Sequence, residues 1–340
     1  MRVTAKDGVP KMDATGSLAL PQRPLGSTGL LVTPLCIGCA SLGSMPETFG
    51  YSVSEAQALT TLRFVFRSPI NFLDTAASYG DGESERRIGL VLKELGGLPP
   101  GYVLSTKADR DLRTGDFSGD QIRRSVERSL RLLGLDRLHL VFLHDPEHTT
   151  FEQAMSRGGP VAVLQRFQEE GVIAHVGVAG GPVDLMIRYV KTGAFEAVIT
   201  HNRYTLLNRT AEPLIDFATR RGVAVLNAAP YGGGILARGP EAYARYAYRD
   251  APPDLVAHAR GADEVCRRYG VPLAAAALQF SMRDSRIVST IAGVSSRERV
   301  RETLALASYP IPEQIWPELD QFATWEGDPE RARGTGASSG

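Results

Sequence analysis

Ile70-Asn71-Phe72-Leu73-Asp74-Thr75-Ala76-Ala77-Ser78-Tyr79-Gly80 opens as a short, almost continuously apolar run and closes in a carboxylate and a phenol-bearing loop. Residues 70–75 have strand length, and their near-continuous apolar character suits a strand buried on both faces. Seven further runs share this form, at residues 35–40, 102–107, 138–144, 173–179, 197–202, 223–228 and 287–293. Longer amphipathic stretches separate them. In one, Ser118-Gly119-Asp120-Gln121 reads as a capping box, Ile122, Val126, Leu130 and Leu133 fall on one helical face, and Gly134 stops the helix. Ser54 and Gln57 open another helix in the same way, before Leu59, Leu62 and Phe66.

Strands alternating with helices imply a parallel sheet with crossover connections. Eight such units is the number that closes a barrel, so the expected fold is α/β, a (β/α)8 TIM barrel. Two tandem helical patterns, 252–270 and 273–283, add a helix after the seventh strand, and another follows Pro312, after the eighth. The rival is an open, doubly wound sheet. Its glycine fingerprint after the first strand is absent, since that position reads Gly38-Cys39-Ala40-Ser41-Leu42-Gly43. No phosphate-binding loop ending in Lys-Ser/Thr replaces it. The barrel is expected over residues 21–328, between flexible tails at 1–20 and 329–340.

The 340 residues carry 38 basic and 38 acidic side chains, so nothing in the charge calls for nucleic acid or an anionic membrane as partner. No run is long and apolar enough to span a bilayer, and the first twenty residues lack a signal-peptide core. A cytoplasmic location is therefore expected, with the oligomeric state left open. Three cysteines cannot build a disulfide framework. Cys36 and Cys39 form a C-x-x-C, but within an apolar strand run and without a second pair to complete a metal site.

Active sites of such barrels lie at the carboxyl ends of the strands. The second strand ends in Asp74 and leads to Tyr79, the third ends in Lys107, and the fourth ends in His144. Adjacent strands run about 4.8 Å apart, so a carboxylate, a phenol, an ammonium and an imidazole share one rim. A nearby Lys cation lowers the pKa of a phenol, Asp74 holds that cation, and His144 orients a substrate oxygen beside Tyr79. The set suits proton transfer to or from a carbonyl or alcohol oxygen. It supplies no hydride, which a nicotinamide cofactor must carry.

With these residues in view, the chain resembles the aldo-keto reductase superfamily. The resemblance rests on residues 71–80, on Ser84-Glu85 and Ile88-Gly89, on Leu104-Ser105-Thr106-Lys107 and on Leu140-Val141-Phe142-Leu143-His144. It spans residues 24–325. It implies NAD or NADP bound in extended form at the strand ends, and a catalytic tetrad of Asp74, Tyr79, Lys107 and His144. Tyr79 is then the general acid in reduction and the general base in oxidation.

After the eighth strand, Gly293, Ser295, Ser296 and Arg299 offer a helix start, hydroxyls and a guanidinium to phosphate groups. The resemblance places the adenosine end of the cofactor there, with Glu302 as its adenine-contacting acid. Where the family carries a Lys for the 2′-phosphate, this chain has Gly293, which leaves NAD and NADP open. The family's carboxamide-binding Ser-Asn falls at Ala179-Gly180, its Gln at His201 and its stacking aromatic near Ala228. His201, Asn202 and Asn227 are therefore the candidates to hold the nicotinamide. His201-Asn202-Arg203-Tyr204-Thr205-Leu206-Leu207-Asn208 and Asn227-Ala228-Ala229-Pro230 resemble the branch of D-threo-aldose, L-fucose and pyridoxal dehydrogenases. That implies an aldose oxidised at C1 to a lactone, or an aldehyde reduced, with His201 and Arg203 suited to a polyol. His148 and Glu147 are candidate substrate contacts, His139 and His175 lie within strand runs and read as packed or on the far face, and Gly232-Gly233-Gly234 reads as a loop covering cofactor.

The alternative function is a cofactor-sensing regulatory protein resembling the potassium-channel beta subunits, which an intact tetrad disfavours. A glycosidase using Asp74 and Glu147 leaves Tyr79 and Lys107 without a task.

Overall fold

The computed structural model describes residues 11–12 and 18–329. Most of the expected tail over 1–20, and all but the first residue of that over 329–340, lie outside the described residues. Within the first, Lys11–Met12 pairs antiparallel with Leu18–Ala19.

All eight expected strands are present: β1 (Leu35–Gly38), β2 (Phe72–Asp74), β3 (Val103–Ala108), β4 (Leu138–His144), β5 (Ile173–Ala179), β6 (Ala197–His201), β7 (Ala224–Ala228) and β8 (Ile287–Gly293). Each pairs in parallel with the next, and β8 pairs with β1, so the sheet closes. Around it lie α1 (Glu55–Val65), α2 (Glu83–Leu95), α3 (Gly119–Leu133), α4 (Pro160–Glu169), α5 (Val183–Lys191) and α6 (Glu212–Arg220). The doubled helix before β8 is α7 (Pro253–Arg268) and α8 (Leu273–Met282), and α9 (Arg297–Ala307) is followed by the extra α10 (Ile315–Asp320).

Side-chain parity divides the interior into two cores. Phe72, Val103, Leu140, Phe142, Ala197, Ile199 and Leu226 fill the barrel, while their strand neighbours Leu73, Leu104, Val141, Leu143, Val198 and Val225 pack outward in the core that includes the helices' buried faces. This is the period of two expected of a strand buried on both sides.

A hairpin that the sequence pattern does not announce seals the N-terminal end. Arg23–Pro24 pairs with Leu31–Val32, and Leu25 and Val32 join the inner core. Arg23 staples it by donating to the carbonyls of Ile287 (2.7 Å) and Met282 (3.0 Å). Gly26 sits at φ +55° against β7, where a Cβ would stand 2.8 Å from the Gly222 carbonyl. Asn71, expected inside a strand, instead clips this floor: it accepts from Thr33 N and donates to the carbonyls of Leu31 and Gly101. β2 accordingly begins at Phe72, two residues later than expected.

The expected capping boxes are half formed. The hydroxyls of Ser118 and Ser54 accept from the backbone of Gln121 and Gln57, but the glutamine amides donate elsewhere, to the carbonyls of Asp109 and Ser295. The complete box is at Thr150 and Gln153. Cys36 and Cys39 are fully buried and burial pushes both thiols up, the reverse of a reactive pair. Among the described residues no cluster of side chains could hold a metal ion, and no helix is long and apolar enough to cross a membrane.

Candidate active site

The parity that fills the barrel also builds its mouth. Asp74 stands two residues beyond the inward Phe72, Lys107 four beyond Val103, and His144 two beyond Phe142. All three point into the barrel at the carboxyl ends of β2, β3 and β4. Tyr79 comes over the rim on the loop after β2.

Lys107 Nζ donates to Asp74 Oδ2 at 2.6 Å, to the Thr75 carbonyl at 2.7 Å and to the Tyr79 hydroxyl at 3.2 Å. An ammonium has three donors, and all three are used. Asp74 Oδ1 accepts from Ser105 Oγ at 2.9 Å. Asp74 and Lys107 are each 3% exposed, and a buried ion pair of this kind is tolerable because both ends are also hydrogen-bonded. Burial works to lower the Lys107 pKa, but Asp74 and Tyr79 outweigh it and hold the ammonium above its ordinary range.

One expectation is corrected. The Lys107 cation does pull the Tyr79 pKa down, but desolvation of the phenol is the larger effect and Asp74 and Asp145 add to it. The net shift is upward, so Tyr79 keeps its proton in the resting site.

The His144 ring meets Tyr79 edge to face, with centroids 6.0 Å apart. Its Nδ1 lies 2.6 Å from Asp109 Oδ1, and its Nε2 lies 3.7 Å from Asp145 Oδ1. Asp109 Oδ2 accepts from Ser78 N at 2.9 Å, binding the imidazole to the loop that carries Tyr79. The backbone of Asp109 is held by Ser125 Oγ and by the Gln121 amide. Sequence reasoning passed over Asp109 and Asp145. The available signal for Asp109 was its spacing, two residues beyond Lys107 on the inward parity. Burial works to lower the His144 pKa, but Asp109 and Asp145 outweigh it and raise the value. For Asp145, burial works upward, and the field of His144, His201, His148 and Arg110 brings the carboxyl below its ordinary range.

Asp145, Asn202 and Ala229 each follow directly on the last residue of β4, β6 and β7, and each has left-handed backbone, φ 44°, 57° and 54°. A non-glycine residue there costs on the order of 1 kcal/mol, a strain typical of functional rims.

Beside the mouth lies a cavity of about 430 Å³, lined by Ser41, Tyr51, Tyr231, Gly293, Ser295 and Arg299 among others. Three expected cofactor contacts, Gly293, Ser295 and Arg299, thus share one space. Ser296 caps α9 by accepting from Arg299 N, and Glu302 pairs with Arg299 at 2.6 Å. The segment after β7 roofs this cavity, and its Tyr248 meets Phe49 edge-on across it.

The remaining candidates divide. His201 ends β6 on the inward parity of Ile199 and adds its field to Asp145 at the mouth. Asn202 is 1% exposed, and neither end of its amide has a hydrogen-bond partner. Asn227 lies on the outward parity of β7, and its amide donates to the Tyr204 carbonyl and Ser281 Oγ behind the sheet. Arg203, the other polyol candidate, is buried with a salt bridge to Asp328 of the C-terminal segment at 2.6 Å. Glu147 accepts from Gly181 N. At the sealed end of the barrel, His175 pairs with Glu196, and His139 lines a groove with Leu31 and Leu135.

A cavity bordered by the N-terminus of α9 suits phosphate groups, and Asn202, directly after β6, carries a buried, unmatched amide. Comparisons with known proteins agree with that chemistry. A model of the aldo/keto reductase family matches residues 34–324. The chain is 32% identical over 287 residues to an L-galactose dehydrogenase of Arabidopsis thaliana, covering 83% of this chain and 86% of that protein. It is 29% identical to a pyridoxal 4-dehydrogenase of Microbacterium luteolum, covering 88% and 97%, and 28% identical to a D-threo-aldose 1-dehydrogenase of a Pseudomonas species, covering 86% and 94%. Among solved structures, it is similar to an aldo-keto reductase from Bacillus halodurans in its holo form, with TM-score 0.71, 25% identity, and 89% and 96% of the two chains covered.

Proposed function

The chain belongs to the aldo/keto reductase family of carbonyl–alcohol oxidoreductases, and we propose that residues 21–328 act as one unit that oxidises an aldose at C1 to its lactone, through Tyr79, Lys107, Asp74 and His144. The observation that carries the assignment is the Lys107 ammonium held between Asp74 and the Tyr79 hydroxyl. The relatives that act on sugars by name, L-galactose and D-threo-aldose dehydrogenases, support the substrate class.

The nicotinamide cofactor supplies the hydride acceptor, or in reduction the donor. The chain's own residues handle the proton. A carbonyl oxygen beside Tyr79 takes its proton as negative charge develops, and Lys107 stabilises the phenolate left behind. In oxidation the Tyr79 proton must first leave to solvent, and the phenolate that Lys107 stabilises then takes the alcohol proton. His144 Nε2 fixes the substrate oxygen beside the phenol. Gly293, Ser295, Ser296, Arg299 and Glu302 are proposed to hold the adenosine end of the cofactor, and His201 and Asn202 the nicotinamide end. Asn227 supports this wall from behind the sheet.

Two features favour NAD over NADP. Gly293 offers no cation, and the nearby guanidiniums of Arg299 and Arg297 pair with Glu302 and Glu298. A 2′-phosphate therefore meets a nearly neutral surface.

The test is a spectrophotometric screen of NAD+ and NADP+ against D- and L-aldoses and aldehydes, run beside Tyr79→Phe. Turnover with an aldose is expected in the parent. Tyr79→Phe is expected to bind cofactor with unchanged affinity and lose kcat by about 10²-fold or more. Full activity in that variant removes Tyr79 from the mechanism. Cofactor binding without turnover on any substrate favours a sensor.

A further inference from the structure

We propose that Asp109 is a positioning residue that sets which ring nitrogen of His144 carries the proton, and so decides whether the imidazole accepts from an alcohol or donates to a carbonyl. This rests on the oxidoreductase reading of the same site.

The argument begins with the two oxygens of Asp109. Oδ2 accepts from Ser78 N at 2.9 Å, and Oδ1 lies 2.6 Å from His144 Nδ1. A carboxylate only accepts, so Nδ1 must carry hydrogen. The neutral ring then presents a bare lone pair at Nε2, the nitrogen facing Asp145 and the mouth. Such a nitrogen accepts a hydrogen bond from a substrate hydroxyl and repels a carbonyl oxygen. Only the imidazolium can donate from Nε2 to a carbonyl. Oxidation therefore uses the neutral ring and reduction the charged one, and Asp109 sets the pH at which the two exchange.

The charged and titratable groups facing the ring are Asp109 and Lys107 from β3 and its loop, Tyr79 from the loop after β2, and Asp145 from its own chain. Asp145 in turn meets His201, His148 and Arg110. Two carboxylates against one ammonium leave the balance in favour of protonation.

Asp109→Asn inverts the arrangement by a route the geometry dictates. Ser78 N–H must have an acceptor, so the new amide turns its oxygen to Ser78 and its NH2 to His144. Nδ1 becomes an acceptor and Nε2 carries the hydrogen. The fold keeps its tie to the Tyr79 loop.

Two readouts test this. The first needs no turnover: long-range 1H–15N correlation of the ring nitrogens, with the His144 signal identified by its loss in His144→Asn. The expected result is an Nδ1–H tautomer in the parent, titrating above pH 6.5, and an Nε2–H tautomer at lower pKa in Asp109→Asn. The second is the pH dependence of kcat/KM. In the parent, reduction should fall tenfold per unit above the His144 pKa, while oxidation should rise tenfold per unit up to that pKa and level above it. In Asp109→Asn, reduction should lose that descending limb, and oxidation should drop about tenfold or more. Asp109→Glu should restore the parent tautomer. An Nε2–H tautomer in the parent, or an unchanged tautomer in Asp109→Asn, overturns the proposal whether or not the enzyme turns over any substrate tested. An unchanged reductive limb beside an inverted tautomer overturns it equally. Absence of turnover with the predicted tautomers overturns the oxidoreductase reading and leaves Asp109's control of the ring standing.

Discussion

Lys107 is the residue on which the site turns. Its ammonium is 3% exposed and carries three hydrogen bonds, so its replacement acts on stability and chemistry together. Lys107→Met, close in shape and without charge, leaves Asp74 buried and unpaired. The expectation is a stability loss of about 3–5 kcal/mol by denaturant titration and loss of turnover even where the variant stays folded. Retained kcat in the folded variant would remove the cation from the chemistry. At this scale the sequence was informative for residues whose place follows from their position at strand ends, as with Asp74, Lys107 and His144. It was less informative for Asp109: its spacing beyond Lys107 marks it as inward, but only folding sets its 2.6 Å contact with His144. It was misleading on the Tyr79 phenol, expected to be made more acidic by Lys107, because the desolvation that outweighs the cation depends on how closely the rim encloses the ring.

At the scale of elements, the barrel interior is filled unevenly. Phe142 on β4 projects inward toward β5, where Gly177 has no side chain, and a Cβ at Gly177 would fall 2.4 Å from the Phe142 ring. Gly177→Ala is expected to cost about 1–3 kcal/mol through this overpacking, read as a lower Tm. Adding Phe142→Leu should recover part of the loss, and simple additivity of the two changes would show that the ring is not the cause. Strand identity was legible because eight apolar runs of even length recur, and three of them, β4, β5 and β8, have the boundaries expected. The hairpin over the barrel floor was not legible: its strands are two residues each, and its anchors, Arg23 to Ile287 and Met282, span most of the chain. The glutamine partners of the half-formed caps failed for the same reason, since Gln57 and Gln121 find carbonyls on other elements.

Across the whole molecule, the acid–base balance of folding includes a group outside the active site. Glu85 is fully buried on α2 and accepts from Thr106 Oγ1 at 2.6 Å, while its other oxygen has no partner. Burial raises its pKa from 4.5 to about 7. The folded state thus holds this proton across a window in which the unfolded chain has released it. Stability should therefore decline as pH rises from 4.5 to 7, by up to about 3 kcal/mol. His144, whose pKa is also raised, contributes in the same sense, with its part lost as pH rises through its folded value. Glu85→Gln should flatten the decline, and an unchanged slope in chemical denaturation across that range would show that the carboxyl is already ionised when folded. The cofactor preference also belongs to this scale, as a sum of surface charges. The parent should turn over faster with NAD+ at equal concentration, and Gly293→Lys should shift the kcat/KM ratio toward NADP+ by about tenfold, while an unmoved ratio would show that the phosphate lies elsewhere.

The plugged floor has a consequence for traffic. With the barrel packed by its own side chains down to Leu25 and Val32 at the far end, a molecule can reach Tyr79 only from the carboxyl-end face. If the dinucleotide lies in the cavity at Gly293, Ser295 and Arg299, it is expected to be seated before the sugar and to leave after it. Product inhibition should therefore show a compulsory queue, with the reduced and oxidised dinucleotides competing directly and the lactone not competing with either.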